Sequence, residues 1–332
     1  MKKYICLMLC ALAAVTVCAC DTDNMQPSTE AATETVQVQE TDAATPDESD
    51  GIISLKNFIA SFDKTATAEE QVVHEDKDVR ITLTGIDYAA ISGPGLEFNI
   101  ESTCSKGVII QSPYAVVNGY MISPEMSVDV PAGKTVSGTL TLPYFNLAIS
   151  QITSLQKIEF VLRIVEAKTY EPITTTDLIT VTTTAEQKEQ TACDDSGQIA
   201  YDDNDVKIVL KGVNTDRAYS DGAELLVYMY NGTDKNIAVR TDDVIVNGCE
   251  MTSAMNCTVL PDKRAVDVVV FYTLDMMEYG IDEIDSVKVS FEIKDAENWE
   301  TVDSTGLINV ELTPKATECP KETTEEATGT EE

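Results

Sequence analysis

An all-β fold of two tandem antiparallel sandwiches is predicted by three features of this 332-residue sequence. A long stretch occurs twice at a nearly fixed offset, the apolar residues inside each copy recur with period two, and turn-forming dipeptides punctuate them at close intervals. Composition agrees with a folded chain, at 43% hydrophobic and 24% charged residues. The formal charge of −34 repels phosphate backbones, which excludes nucleic-acid binding. A single histidine and the lack of a Gly-rich phosphate loop weigh against most hydrolytic, zinc and nucleotide chemistry.

Residues 1–19 read as a removable leader. Lys2 and Lys3 precede an uncharged run, Tyr4 to Ala19, shorter than the about 20 apolar residues that a membrane span needs. The run closes on Val17-Cys18-Ala19-Cys20, which resembles the bacterial lipobox. That resemblance implies lipidation of Cys20 and anchoring of the chain to the extracellular face of the cell membrane. The other reading is an ordinary secretory signal with incidental cysteines. Residues 20–69 follow as a disordered acidic tether: Asp21 to Asp50 carries nine acids, no Lys or Arg, and little that a core could use. Thirty such residues reach about 30 Å, holding the folded part off the lipid. Residues 315–332 have similar composition and read as a solvated tail.

Between these segments lie the two copies. Asp78-Val79-Arg80-Ile81-Thr82-Leu83-Thr84-Gly85 matches Asp205-Val206-Lys207-Ile208-Val209-Leu210-Lys211-Gly212, and Val117-Asn118-Gly119 matches Val246-Asn247-Gly248. The Pro131 turn matches that at Pro261, and Ile158 to Ala167 matches Val287 to Ala296. The offset holds at 127 to 130. Within the copies Val287, Val289, Phe291 and Ile293 alternate with polar residues, as do Leu96, Phe98 and Ile100, with Leu225, Val227 and Met229 in the same places. This pattern predicts strands with one wet face. The period switches to helical at Phe145, Ala148, Ile152 and Leu155, and again at Leu274, Met277, Ile281 and Ile284, predicting a short helical crossover in each copy. The expected units are immunoglobulin-like sandwiches at 70–187 and 194–314, each long enough to fold on its own.

The phrase Val117-Asn-Gly-Tyr-Met-Ile-Ser-Pro-Glu-Met-Ser-Val-Asp-Val-Pro-Ala-Gly-Lys134 resembles an uncharacterised immunoglobulin-like domain family of lipid-anchored lipoproteins from anaerobic Gram-positive bacteria. The second copy departs from it at Cys249-Glu250-Met251 and Pro261-Asp262-Lys263. The resemblance implies a fold and a surface location and carries no activity, cofactor or binding residue.

Residues able to do chemistry are few. Once the leader is gone and Cys20 is lipidated, five cysteines remain, none shared between copies; Cys249 and Cys257 flank a short segment and could form a disulfide if their strands meet. Asp202-Asp203-Asn204-Asp205 offers the oxygen ligands of a calcium site, but the first copy has Lys77 in that stretch, so a solvated turn is the expected reading and no metal is assigned. His74 is expected in an exposed loop before the first strand. Trp299, the only tryptophan, and Tyr170 occupy the same place in the two copies. They suit either an aromatic platform for a sugar or peptide, or a core or strand-edge aromatic.

The leading expectation is a noncatalytic, lipid-anchored extracellular binding protein, with no cofactor. Its partner would be a cell-wall component or protein, favoured if cationic, because residues 194–314 alone carry 25 acids against 9 basic residues. Asp202, Asp203 and Asp205 would contribute to that steering. The alternatives are an enzyme or enzyme accessory acting on the cell wall through surface carboxylates, and a passive spacer.

Overall fold

Alternating apolar side chains become pleated strand where one face finds a second sheet to bury against. The computed structural model describes residues 55–185, 195–214, 222–253 and 255–312; Cys20, residues 20–54 of the expected tether, and the tail lie outside them. Residues 55–69, also expected in the tether, are instead folded: Leu55–Ser61 is helical and Phe62 and Ala66 are buried in the first core, because Leu55, Phe58, Ile59 and Phe62 supply an apolar stripe that Asp21 to Asp50 lacks. The first repeat runs α1 (Leu55–Ser61), β1 (Gln71–Glu75), β2 (Val79–Asp87), β3 (Gly95–Ser102), β4 (Val108–Gln111), β5 (Ala115–Val117), β6 (Tyr120–Ile122), β7 (Ser127–Val130), β8 (Thr135–Thr141), α2 (Tyr144–Ile149), β9 (Lys157–Phe160), β10 (Arg163–Glu166), β11 (Pro172–Thr175) and β12 (Ile179–Thr182). The second runs β13 (Gln198–Asp203), β14 (Val206–Asn214), β15 (Gly222–Asn231), β16 (Ile237–Val246), β17 (Cys249–Glu250), β18 (Asn256–Val259), β19 (Lys263–Tyr272), α3 (Thr273–Glu278), β20 (Val287–Asp295), β21 (Thr301–Ser304) and β22 (Ile308–Asn309).

The fold is all-β, in antiparallel sandwiches. In the first repeat, β1-β2-β3-β8 faces a layer ordered β11-β10-β4-β7, extended by β12-β9-β5-β6. Ile81, Leu83, Phe98 and Ile100 meet Ile110, Val117, Ile158 and Phe160 across the core, with the Phe98 and Phe160 rings edge-on at 5.8 Å. In the second, β13-β14-β15-β19 faces β17-β16-β20-β21 around Leu225, Val227, Phe271, Val289 and Phe291. The Asn-Gly turns explain why the repeat is visible. Asn118 and Asn247 both take positive φ, at 51° and 49°. Asn118 Oδ1 accepts the amides of Gln156 and Lys157, and Asn247 Oδ1 accepts those of Asp285 and Ser286, so each turn clamps the connection beside it.

Each repeat has its predicted helical crossover, α2 or α3, entered from an extended N-cap residue with matching dihedrals, Pro143 and Tyr272. The buried stripe of α3 differs from expectation. Met276 faces the core, while Leu274 is 79% and Met277 71% exposed.

The repeats are joined through their sheets. β6 pairs in parallel with the start of β19, Tyr120 opposite Arg264 and Met121 opposite Ala265, making one eight-stranded sheet, β12-β9-β5-β6-β19-β15-β14-β13. The outer face of that sheet in the second repeat is also covered: Val209, Leu226, Tyr228 and Val266 belong to the first repeat's core. Nine of ten β15 residues are therefore buried, which corrects the one-wet-face reading of Leu225, Val227 and Met229.

Two further expectations are corrected. Cys249 and Cys257 are free thiols. Cys249 sits opposite Val246 and Cys257 opposite Val239, seven residues apart along β16. That is roughly 20 Å, against the about 7 Å between Cα atoms that a disulfide tolerates. His74 lies within β1, paired opposite Ile81, and its Nε2 is 3.4 Å from Asp76 Oδ2.

Candidate functional site

Joining β6 to β19 leaves a cleft of about 350 Å³ between the repeats. The first repeat lines it with Pro113, Tyr114, Met121 to Ser123 and Asn146, and the second with Asn236, Asn256 to Thr258, Val266, Asp267 and Ala296. The repeat itself shows which residues are more than scaffold. Asp267 stands where the first copy has Gly138, Cys257 where it has Val128, and Tyr114 where the second copy has Asp243. A Cβ on Gly138 would come within 2.9 Å of Ile100 and Val128, so the first copy has no room for a side chain there.

Electrostatics in the cleft follow from loss of water. Burial pushes Asp267 up to about 6, only partly opposed by the Val268 amide, which donates to its Oδ1 at 2.9 Å. Burial, and then the charge of Asp267, push the Cys257 thiol well above its ordinary value. The Tyr114 phenol is raised by burial as well. A cysteine nucleophile needs the opposite, a stabilised thiolate. The cleft thus disfavours ionisation of its own groups, and a cation entering it would restore the charge of Asp267.

A carboxyl raised in the folded state binds its proton more tightly there than in the unfolded chain, where its pKa is about 3.9. The fold therefore loses stability as pH climbs from about 4 through about 6. Asp267→Asn is expected to stabilise the protein at pH 7.5 by on the order of 2 kcal/mol, discounted for the residual exposure of the carboxyl, and to add nothing near pH 4. Denaturant midpoints at the two pH values check this; an equal gain at both would refute it.

Among the sequence-predicted residues, Trp299 and Tyr170 take equivalent places on the β20–β21 and β10–β11 hairpins. Both are left-handed, at φ 62° and 59°, and 51% and 62% exposed, so neither is a core aromatic. Bulky side chains are rare in that conformation, and exposure follows from standing at a tip. Trp299 lies three residues from Ala296 in the cleft wall, whereas Tyr170 is at the end of the first repeat away from the joint. Asp202, Asp203 and Asp205 form the β13–β14 hairpin, with Asn204 and Asp205 at φ 52° and 59°. This turn shares an end of the second repeat with Trp299: Tyr201 beside it donates to Asp303 Oδ2 on β21 at 2.7 Å. The sequence reading missed Asp267 and Tyr114, whose signal was the mismatch between copies.

No protein-family model matches the chain, and no curated protein does. Among solved structures, the crystal structure of the YadV chaperone matches over 65% of this chain and 92% of its own, at 12% identity and a TM-score of 0.22. A chain of the Salmonella enterica SafA pilin–SafB chaperone complex matches over 71% and 98%, at 10% identity and 0.21. A protein of unknown function from Porphyromonas gingivalis matches over 70% and 90%, at 10% identity and 0.17. Scores this low carry nothing about ligand or partner, and the architecture above rests on this chain's own strand pairing.

Proposed function

We propose that this chain is a noncatalytic extracellular binding protein, held to the membrane by a lipid on Cys20, that takes a cationic group of a cell-wall component or protein into the cleft between its repeats. Membership of the immunoglobulin-like lipoprotein family that Val117 to Lys134 resembles belongs to this reading. The observation that carries it is Asp267. A desolvated carboxylate among neutral amides and hydroxyls gains most by meeting a cation, and the raised Cys257 thiol beside it is the reverse of an activated nucleophile. The acidity of the second repeat would steer such a partner, and Trp299 at the neighbouring hairpin would add an aromatic contact.

Thermal shift with a panel of amine-bearing wall fragments and basic peptides tests it. Stabilisation is expected to grow from pH 5 to pH 7 as Asp267 ionises, to weaken as salt rises, and to vanish in Asp267→Asn. Turnover of any fragment that one carboxylate substitution abolishes would overturn the noncatalytic reading. The anchor is tested separately: Cys20→Ala is expected to move the protein from membrane to medium, and a variant that stays with membranes after salt washing would refute it.

A further inference from the structure

We propose that the exposed face of α3 is a docking surface for a cationic amphipathic helix of a partner protein. The first repeat shows how such a face is covered. On α2, the side chains of Tyr144, Leu147, Ala148 and Ile149 are buried. Their cover is α1, whose Leu55, Phe58 and Ile59, with Phe62 just beyond it, follow the i, i+3, i+4, i+7 spacing of one helical stripe and pack on the same core. The Phe62 ring meets the Tyr144 ring edge-on at 5.4 Å, and the Asp63 amide donates to the Thr153 carbonyl at 2.8 Å, fixing that cover beyond α2.

In the second repeat the cover is missing among the described residues. Offset by 127 to 129, α1 would begin on Thr182 to Thr184, where β12 ends and Thr183 bridges Ala68. Met277, in the place of buried Ala148, and Leu274, in the place of Phe145, stand in solvent with Tyr272 and Tyr279. A patch of this kind marks an interaction site. Its position, roughly 25 Å along β19 from the joint, leaves it clear of the first repeat.

Charge chooses the occupant. Between Arg264 and Lys288 there is no Lys or Arg, while Asp275 and Glu278 stand on α3 itself and Asp282 and Asp285 follow it closely in the chain. This rim opposes an anionic lipid surface and would set acid against acid if two copies met face to face. An apolar stripe like that of α1 with lysines at its margins satisfies both the face and the rim.

The test uses the full chain and a fluorescein-labelled synthetic helix with the Leu-x-x-Phe-Ile-x-x-Phe spacing and lysine at its outward positions, read by anisotropy. Leu274→Ser with Met277→Ser is expected to weaken binding at least about tenfold, with the circular dichroism spectrum and melting point unchanged because both side chains are exposed. Exchange of the peptide's lysines for glutamines should cost a similar factor, and added salt should weaken binding. Binding indifferent to the Leu274 and Met277 changes overturns the proposal. So would self-association or anionic-vesicle binding that depends on these two residues.

Discussion

Cut free of the first repeat, residues 195–312 are expected to lose on the order of 6 kcal/mol or more, and to aggregate. Val209, Leu226, Tyr228 and Val266 are all nearly fully buried against the first repeat. Fully burying such a side chain contributes about 1.5–3 kcal/mol, and a single domain has only about 5–15 kcal/mol in all. Losing β6 would also bare the edge of β19, a template for pairing with another chain. The intact protein should therefore unfold in one transition in urea, with no separate melting of its halves. A fragment within about 1 kcal/mol of the intact chain's stability would show that the shared sheet does not matter. The first repeat also indicates a rescue: its Glu97 and Asn99 occupy the places of Leu226 and Tyr228 on a strand whose outer face is wet. Leu226→Glu with Tyr228→Asn should make the fragment soluble and destabilise the intact protein.

That pair of positions shows what could be read in the sequence. Matching the copies revealed the residues they share, namely the alternate core positions, the Asn-Gly turns and the helical crossover, and these sufficed for the sandwich. The expectation that each repeat folds alone came from attending to the shared half of β15. Its other half, Leu226, Tyr228 and Tyr230 in place of Glu97, Asn99 and Glu101, already carried the signal of a second buried face. The cleft was less accessible. Asp267 in place of Gly138 is visible as a mismatch, but its desolvation comes from docking Tyr114 and Met121 of the other repeat, a contact about 150 residues away in the chain that no local period encodes. The cysteine pairing failed for a similar reason, since spacing along the chain does not say where along β16 each flanking strand lands. For α3 the spacing of Leu274, Met277, Ile281 and Ile284 indicated a helical turn but not its buried face: Met276 is buried, while Leu274 and Met277 are exposed.

Removing the Glu159 carboxylate is expected to cost about 3 kcal/mol at pH 7, the second-largest effect predicted. Glu159 on β9 is only 8% exposed, and its two oxygens take separate lysines, Lys157 at 2.9 Å and Lys263 of the other repeat at 3.0 Å. Burial by itself would raise the pKa of this carboxyl, but the hydrogen bonds and charges of the two lysines outweigh it and hold the group below its ordinary value. A carboxyl held low in the folded state stabilises the fold above its unfolded pKa of about 4.3. That contribution fades as pH falls through the folded value. Glu159→Ala should therefore be destabilised at pH 7 and converge on the parent protein in acid, the reverse of the trend for Asp267→Asn. Lys263, 21% exposed, has little water to turn to when its partner goes. Substituting both, with Glu159→Leu and Lys263→Met, is expected to recover most of the loss, because two apolar side chains do not leave a desolvated charge. Lys288 fills the position of Glu159 in the second repeat, so Glu159→Lys, which would set three lysines together, should be the most damaging exchange at this site. A Glu159→Ala protein as stable as its parent at pH 7, or a deficit that does not shrink in acid, would show that the joint is held by apolar packing and β6–β19 pairing alone.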